Sequence, residues 1–431
     1  MTARTYVIVG AGVAGVSAAE ALRGAGFDGR IVLIGKEPEQ PYQRPPLSKQ
    51  LLRGEVSSDF VLLRSPEFYR GNAIELHMAD RAVHIDPHAC LVECASGAHV
   101  KYDKLLIATG GLPRQLLIPG AGLPGVHYLR TLPQALALRK DFEQHPRVLV
   151  VGGGFIGCEV AASAKKVGCE VIIAAPALPM AHALGPEVGA FYADYHRAHG
   201  VDVKIGPTVT EFRGVRSLEE AVLSDGRTVA CTTAVIGIGI DPSLGMLSDV
   251  GTKDGLMTDE FCRTSIDNVF AAGDIARSWR PRLNRHVRLE HFDNAQLQGA
   301  AAADSMCGKT TPYDPIPFFW SDQYDWGLQY YGSAKEWDDV VLRGHPAQDS
   351  FMAFYLKGGR IEAVCGVNRS RDTSNAKRLL GQINVPVENL ANDDFSLANV
   401  AVAETSRSPV DRVMNASKRP GINATALMRW R

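Results

Sequence analysis

Two stretches decide the fold: Tyr6-Val-Ile-Val9-Gly10-Ala-Gly12-Val-Ala14-Gly15, and Arg147-Val-Leu-Val-Val151-Gly152-Gly-Gly154-Phe155-Ile156-Gly157. Each is a short apolar run that reads as a buried strand, then a glycine turn, then a helical run, over 16–23 and 158–167 respectively. In that order the glycines have separate tasks. The first makes the tight turn, the second lets backbone approach a pyrophosphate, and the third sets helix against strand. The helix start offers free N–H groups and the positive end of its dipole to the phosphates. One such turn is weak evidence, because glycine turns are common. Two in the right context, about 140 residues apart, imply two dinucleotides.

Bulk properties agree with an ordinary globular protein. The chain has 431 residues, 45% hydrophobic and 22% charged, long enough for two or three domains. A net charge of −1 supplies no global field toward nucleic acid or anionic lipid. The apolar segment 7–22 is broken by Gly10, Gly12 and Gly15, so it reads neither as a signal peptide nor as a membrane span. The eight cysteines contain no CxxC pair and no metal-ligand spacing, so they read as small buried apolar residues. No metal site and a cytoplasmic location are expected.

A third element bears on which dinucleotides are bound. Leu105-Leu-Ile-Ala-Thr109-Gly110-Gly111 is a strand running into a small-residue turn, and Asn268-Val-Phe-Ala-Ala-Gly273-Asp274 is another strand, ending in Gly-Asp. An aspartate there can accept hydrogen bonds from the ribityl chain of a flavin, with a following helix start facing its pyrophosphate. As a helix N-cap, Asp274 would fill an ordinary structural role, and the two readings are compatible. The second strand, 30–34, ends near Lys36 and Glu37, the two candidates at the place where an acid usually holds a ribose hydroxyl.

In order along the chain stand Tyr42-Gln-Arg44-Pro-Pro-Leu-Ser-Lys49, Ala108-Thr-Gly-Gly111, the run 152–159, Ala271-Ala-Gly-Asp274, Glu290-His-Phe-Asp-Asn-Ala295 and Phe319-Trp320-Ser-Asp-Gln-Tyr324. Together they resemble the oxygenase-coupled ferredoxin reductases, the group that includes putidaredoxin reductase, rhodocoxin reductase and biphenyl-type dioxygenase reductases. The resemblance runs over residues 4 to 400. It implies an α/β fold with two Rossmann-like, glutathione-reductase-like domains and a C-terminal α/β domain. The FAD domain would comprise 1–111 and 243–316, the NAD(P)H domain 112–242, and the C-terminal domain 317–431 with its basic tail. The implied activity is NAD(P)H oxidation through FAD, NADH favoured, with delivery to an acidic [2Fe–2S] ferredoxin. That ferredoxin would feed a cytochrome P450 or a ring-hydroxylating oxygenase.

The resemblance also implies roles. Lys49 lies near flavin N5 and pairs with Glu159, so that a cation stabilises charge arriving on the reduced ring while a carboxylate keeps it ionised. Trp320 is a stacking platform. Gly10, Gly12, Ala14, Gly15, Thr109, Gly110 and Asp274 line the FAD, and Glu37 takes its ribose because Lys36 stands where relatives carry an acid. Arg44 and Arg130 contact its phosphate or ring oxygens, His291 and Phe292 lie against the flavin, and Ala82 lies beside the adenine. Gly152, Gly154, Phe155, Ile156, Gly157, Gly239 and Glu290 serve the nicotinamide nucleotide.

The segment 277–288 holds five arginines, a tryptophan and no acid. It reads as a loop, and Arg280, Arg282, Arg285 and Arg288 form a candidate ferredoxin-docking patch by charge complementarity. One departure from the family pattern concerns the second nucleotide. Ala175 ends the strand after the second glycine loop, where relatives carry an acid for the adenosine ribose, and no Lys or Arg follows in 176–184. Only His182 is at hand for a 2′-phosphate. Losing that carboxylate–hydroxyl bond costs about 1.5–3 kcal/mol, or ~10- to 100-fold in affinity. The expectation is weak NADH binding with little discrimination against NADPH. The alternative reading is an apoptosis-inducing-factor-like flavoprotein that senses redox state or binds a partner. Residues 407–431 are basic, aperiodic and outside the resemblance, and read either as a disordered tail or as an oligomer contact.

Overall fold

The computed structural model describes residues 4–246, 252–383 and 385–400; the tail at 407–431 lies outside them. The strand Thr5–Val9 is apolar enough to be buried on both faces, as the centre of a parallel sheet requires. It pairs in parallel with Arg30–Ile34 on one side and Lys104–Ile107 on the other. Ile74–His77 and Val269–Ala271 complete five strands. The last of these arrives long after the others, so the chain leaves this sheet and returns to it.

Between departure and return lies a second parallel sheet, ordered Asp202–Ile205, Glu170–Ala175, Arg147–Val151, Thr233–Ile236, Val126–Tyr128. The two crossings meet each other: Gly111–Pro113 and Ile240–Pro242 pair antiparallel. Thr109 Oγ1 donates to the carbonyl of Ser243 at 3.0 Å, tying the outgoing strand to the returning chain.

A third, antiparallel sheet follows from strands Phe318–Gln323, Trp326–Gly332, Asp339–His345, Ser350–Lys357 and Arg360–Val367. One of its cores lies against the short helices Ser370–Ala376 and Val387–Ala391, with Phe354, Leu379 and Leu390 buried together. Its other core is shared with the second nucleotide domain. There Leu184, Val188 and Tyr192 of the helix Ala181–Ala198 pack with Trp326, Tyr330 and Phe351. That helix is broken at Gly185, whose φ of 83° is non-helical, just before Pro186.

Two local expectations are corrected. No helix follows Asp274: the chain continues as strand Ala276–Arg280, and residues 277–288 are an antiparallel hairpin with strand Arg285–Arg288, not a loop. The cysteines do behave as small core residues, with six of the eight buried and all eight unpaired. Among the described residues no cluster of His, Cys, Asp or Glu could hold a metal, and no helix is long and apolar enough to cross a membrane.

The helices Val13–Gly24 and Phe292–Met306 approach through Gly299, where a Cβ would stand 2.1 Å from the Ala14 carbonyl oxygen. Gly299→Ala is therefore expected to destabilise the first domain by about 1–3 kcal/mol through overpacking. Calorimetry reads this as a lowered midpoint, and an unchanged midpoint would show that the helices separate freely.

A candidate site at two glycine loops and a buried ion pair

The two glycine loops are built alike. At Gly10 (φ +119°) a Cβ would meet the Ala108 carbonyl oxygen at 2.2 Å, and at Gly15 it would meet the Gly10 carbonyl oxygen at 2.0 Å. The corresponding clashes at Gly152 and Gly157 are 2.4 Å with the Gly237 carbonyl oxygen and 2.3 Å with the Gly152 carbonyl oxygen. The protein's own backbone thus demands the outer glycines. Gly12 and Gly154 differ: nothing lies within 4 Å of a Cβ at either. Each is the N-cap of a 12-residue helix and supplies no side-chain cap, leaving the first-turn N–H groups free for an anion. Two pyrophosphates fit these two openings.

Around the first loop, Arg130 Nη2 donates to Asp274 Oδ2 at 3.0 Å, with Gly110 beside both. Arg130 Nε and His291 Nδ1 are buried without a hydrogen-bond partner. Buried polar atoms seldom remain orphaned, so a polar ligand at this point would complete them. Burial pushes the His291 imidazole down to about 4, against the neighbouring Asp274 charge. Arg44 donates to the Arg130 carbonyl and, at 3.0 Å, to Glu37 Oε1, while Tyr42 Oη donates to Glu37 Oε2. Both carboxylate oxygens of Glu37 are thereby engaged. Lys36 is exposed, and Ala82 is buried on a small antiparallel sheet opposite Cys94.

Lys49 and Glu159 stand in different domains, and the fold brings Nζ to 2.9 Å from Oε2 with side chains only 7% and 4% exposed. Burying two charges is costly unless every lone pair and proton is met. Here Ser48 Oγ donates to Glu159 Oε2 at 2.5 Å and Ser321 Oγ to Oε1 at 2.8 Å, while Lys49 also donates to the Pro45 carbonyl at 3.3 Å. Ser48 and Ser321 lie within the family-like stretches 42–49 and 319–324, yet their residue types alone point to no role. Their signal was proximity: each adjoins a proposed catalytic residue, Lys49 or Trp320.

Half-buried Trp320 stands edge-on to Phe292 at 5.9 Å and stacks with Phe318 at 6.0 Å. Phe155 packs its edge on Phe319 at 4.8 Å, and Ile156 is 45% exposed beside the second loop. Gly239 accepts from the Arg114 backbone at 3.0 Å, and Glu290 pairs with Arg288 at 2.7 Å. Ala175 is buried, its Cβ 3.3 Å from where a Gly153 Cβ would stand, and His182 is exposed.

The arginine patch is largely not a patch. Arg280 is 1% exposed, donates to the Pro315 carbonyl at 2.6 Å and to Asn294 Oδ1 at 3.3 Å, and lies over the Tyr313 ring. It is a core arginine and cannot dock a partner. Arg288 is tied to Asp254, Glu290 and the Asp274 carbonyl, and Arg285 donates to the Ser333 carbonyl at 2.9 Å. Arg282 is half-buried, with its backbone N–H on Asp314.

Residues 4–299 match the family model for pyridine nucleotide-disulphide oxidoreductases, and 318–401 match the reductase C-terminal model. The chain is 39% identical to the 5,5'-dehydrodivanillate O-demethylase ferredoxin reductase subunit of Sphingobium sp., covering 92% of this chain and 98% of that one. It is 37% identical to rhodocoxin reductase of Rhodococcus erythropolis, covering 96% and 97%. Its fold is similar to the ferredoxin reductase for the CYP199A2 system from Rhodopseudomonas palustris, with a TM-score of 0.89 at 37% identity, covering 93% and 100%.

Removing one member of the ion pair should hurt more than removing both. Glu159→Leu strands a buried ammonium and is expected to cost about 3–5 kcal/mol of stability, with Lys49→Met/Glu159→Leu recovering most of it. Chemical denaturation of the single and double variants checks this; additive losses would contradict it.

Proposed function

Because the chain belongs to the pyridine nucleotide-disulphide oxidoreductase family and, within it, to the ferredoxin reductases, we propose that it passes electrons from NAD(P)H through FAD to an acidic [2Fe–2S] ferredoxin. That ferredoxin would serve a P450 or ring-hydroxylating oxygenase. The observation that carries the reading is the desolvated Lys49–Glu159 pair, held between the domains that bear the two glycine loops.

Bound FAD supplies two-electron acceptance from a nicotinamide and one-electron release, and the protein's part is position and electrostatics. The openings at Gly12 and Gly154 receive the two pyrophosphates. Arg130 and Asp274 offer one donor group and one acceptor group fixed against each other. Lys49 presents a positive charge in a low-dielectric setting, where it acts on negative charge far more strongly than in water. Phe292 and Trp320, set edge to face, give the flavin an apolar border, and Phe155, Ile156, Gly239 and Glu290 border the nicotinamide nucleotide. In this reading FAD occupies 1–111 with 243–316, NAD(P)H occupies 112–242, and 317–431 is the closing domain. No cysteine lies in 44–53 to act as a redox dithiol. Eight unpaired cysteines suit a reducing compartment, and the reading places the protein in the cytoplasm. Arg282 and Arg285 remain as the surface cations of the hairpin that would meet an acidic partner.

The test is direct. Purified protein should be yellow, be bleached anaerobically by NADH, and reduce members of a [2Fe–2S] ferredoxin panel at rates that fall with added salt. Dissociation constants for NADH and NADPH should lie within about tenfold of each other, since Ala175 supplies no ribose carboxylate. Bleaching without delivery to any ferredoxin would favour the redox-sensor alternative, and colourless protein would end the proposal.

A further inference from the structure

The turn Tyr324-Asp325 joins strands Phe318–Gln323 and Trp326–Gly332, and Tyr324 has φ +54°, an unfavourable conformation for a bulky side chain. Such strain persists only where the surroundings over-determine it. Here the helix Ala181–Ala198 and the residue that follows it clasp the turn. Tyr195 Oη donates to Asp325 Oδ1 at 2.5 Å, His199 stacks on Tyr324 at 3.8 Å, and His196 Nδ1 lies 2.9 Å from Tyr324 Oη.

From His196 a chain of hydrogen bonds runs inward. Its Nε2 is 3.1 Å from Gln323 Oε1, Gln323 Nε2 is 3.3 Å from Ser321 Oγ, and Ser321 Oγ is 2.8 Å from Glu159 Oε1. Chemistry sets the direction. An ionised carboxylate only accepts, so Ser321 donates to Glu159 and its oxygen accepts from the Gln323 amide. The amide oxygen then faces His196, which must carry its proton on Nε2 and accept from Tyr324 on Nδ1. All four bonds are polarised toward Glu159. His196 is 0% exposed, and burial pushes its imidazole down to about 4, with Gln323 opposing and His199 assisting. It is therefore a neutral one-proton ring, as the chain requires.

We propose that His196 is a positioning residue: through Gln323 and Ser321 it dictates which proton donors face Glu159, and so holds that carboxylate on Lys49. The clasp between the C-terminal sheet and the second nucleotide domain thereby sets the electrostatics of the site. This rests on the ferredoxin reductase reading for its consequence in turnover, but not for its geometry.

His196→Phe keeps an aromatic ring at the site, somewhat larger than imidazole, and removes both hydrogen bonds. Gln323 is then free to rotate its amide and take the Ser321 proton, leaving Glu159 one donor short. In the FAD-loaded protein, the acid limb of the pH profile for flavin reduction by NADH should move toward neutral by roughly one pH unit, because the group facing Lys49 has lost one hydrogen-bond donor. Ser321→Ala should move it equally, the double variant no further, and His196→Gln, which keeps an N–H toward Gln323, should restore the wild-type profile. Independently of turnover, nitrogen-15 spectra of histidine-labelled protein should show His196 protonated on Nε2 alone from about pH 5 to about pH 8. A proton on Nδ1, additive effects, or an unmoved profile in His196→Phe beside a moved one in Ser321→Ala would overturn the proposal. So would an unmoved profile in Ser321→Ala. Should His196→Phe not fold, Gln323→Leu cuts the same chain and must give the same shift. If wild-type flavin is not reduced by NADH at all, the functional reading fails, while the tautomer measurement still decides the hydrogen-bond chain.

Discussion

A buried ammonium 2.9 Å from a buried carboxylate constrains everything around it. Each ion has given up hydration worth several kcal/mol even after relaxation, and their mutual attraction offsets this only where the remaining protons and lone pairs are satisfied. Lys49 and Ser48 come from the first nucleotide domain, Glu159 from the first turns of the helix Phe155–Lys166, and Ser321 from the first strand of the C-terminal sheet. Three segments far apart in sequence must therefore meet with hydrogen-bond accuracy. A pair that draws on all three sheets' segments reports on their assembly.

The glycine loops impose a complementary constraint through backbone alone. Their outer glycines are fixed by carbonyl oxygens of the protein itself, whereas the middle ones border open space. On the proposed reading that division separates fold from ligand: an outer substitution meets the protein's own carbonyl oxygens, and a middle one would intrude on the phosphates. Because the same construction occurs twice, the two openings lie on equivalent ends of the two parallel sheets, where the proposed function puts the dinucleotides.

The C-terminal sheet is more than a cover. Its shared core with the helix Ala181–Ala198 places Tyr192, Trp326, Tyr330 and Phe351 in one apolar cluster, so it is anchored to the second nucleotide domain by burial rather than by a few surface contacts. Next to this cluster the aromatic clasp on Tyr324 and the polar chain through His196 reach Glu159. Apolar anchoring sets the distance between domains, and the hydrogen bonds set orientation at the ion pair.

Much of this was legible in the linear chain. Strand, glycine turn and helix are local, with dihedral and burial requirements written in neighbouring residues, so both nucleotide loops and their parallel strands could be read directly. Lys49, Glu159 and Trp320 entered through family resemblance, and the geometry then gave the first two a shared physical reason. What could not be read was long-range. Arg280 sits in an arginine-rich run that local charge marks as solvent-exposed, yet Tyr313 covers it with its ring and Asn294 and Pro315 accept hydrogen bonds from its two terminal nitrogens, all from later in the chain. The chain after Asp274 turns into a strand because it pairs in parallel with the earlier Leu256–Thr258 and folds back on Arg285–Arg288. Ser48, Ser321, Gln323 and His196 are unremarkable polar residues one by one. Only tertiary structure makes them a directed set, because a hydrogen bond depends on where a partner's atom lies, and sequence spacing carries that information only within one element.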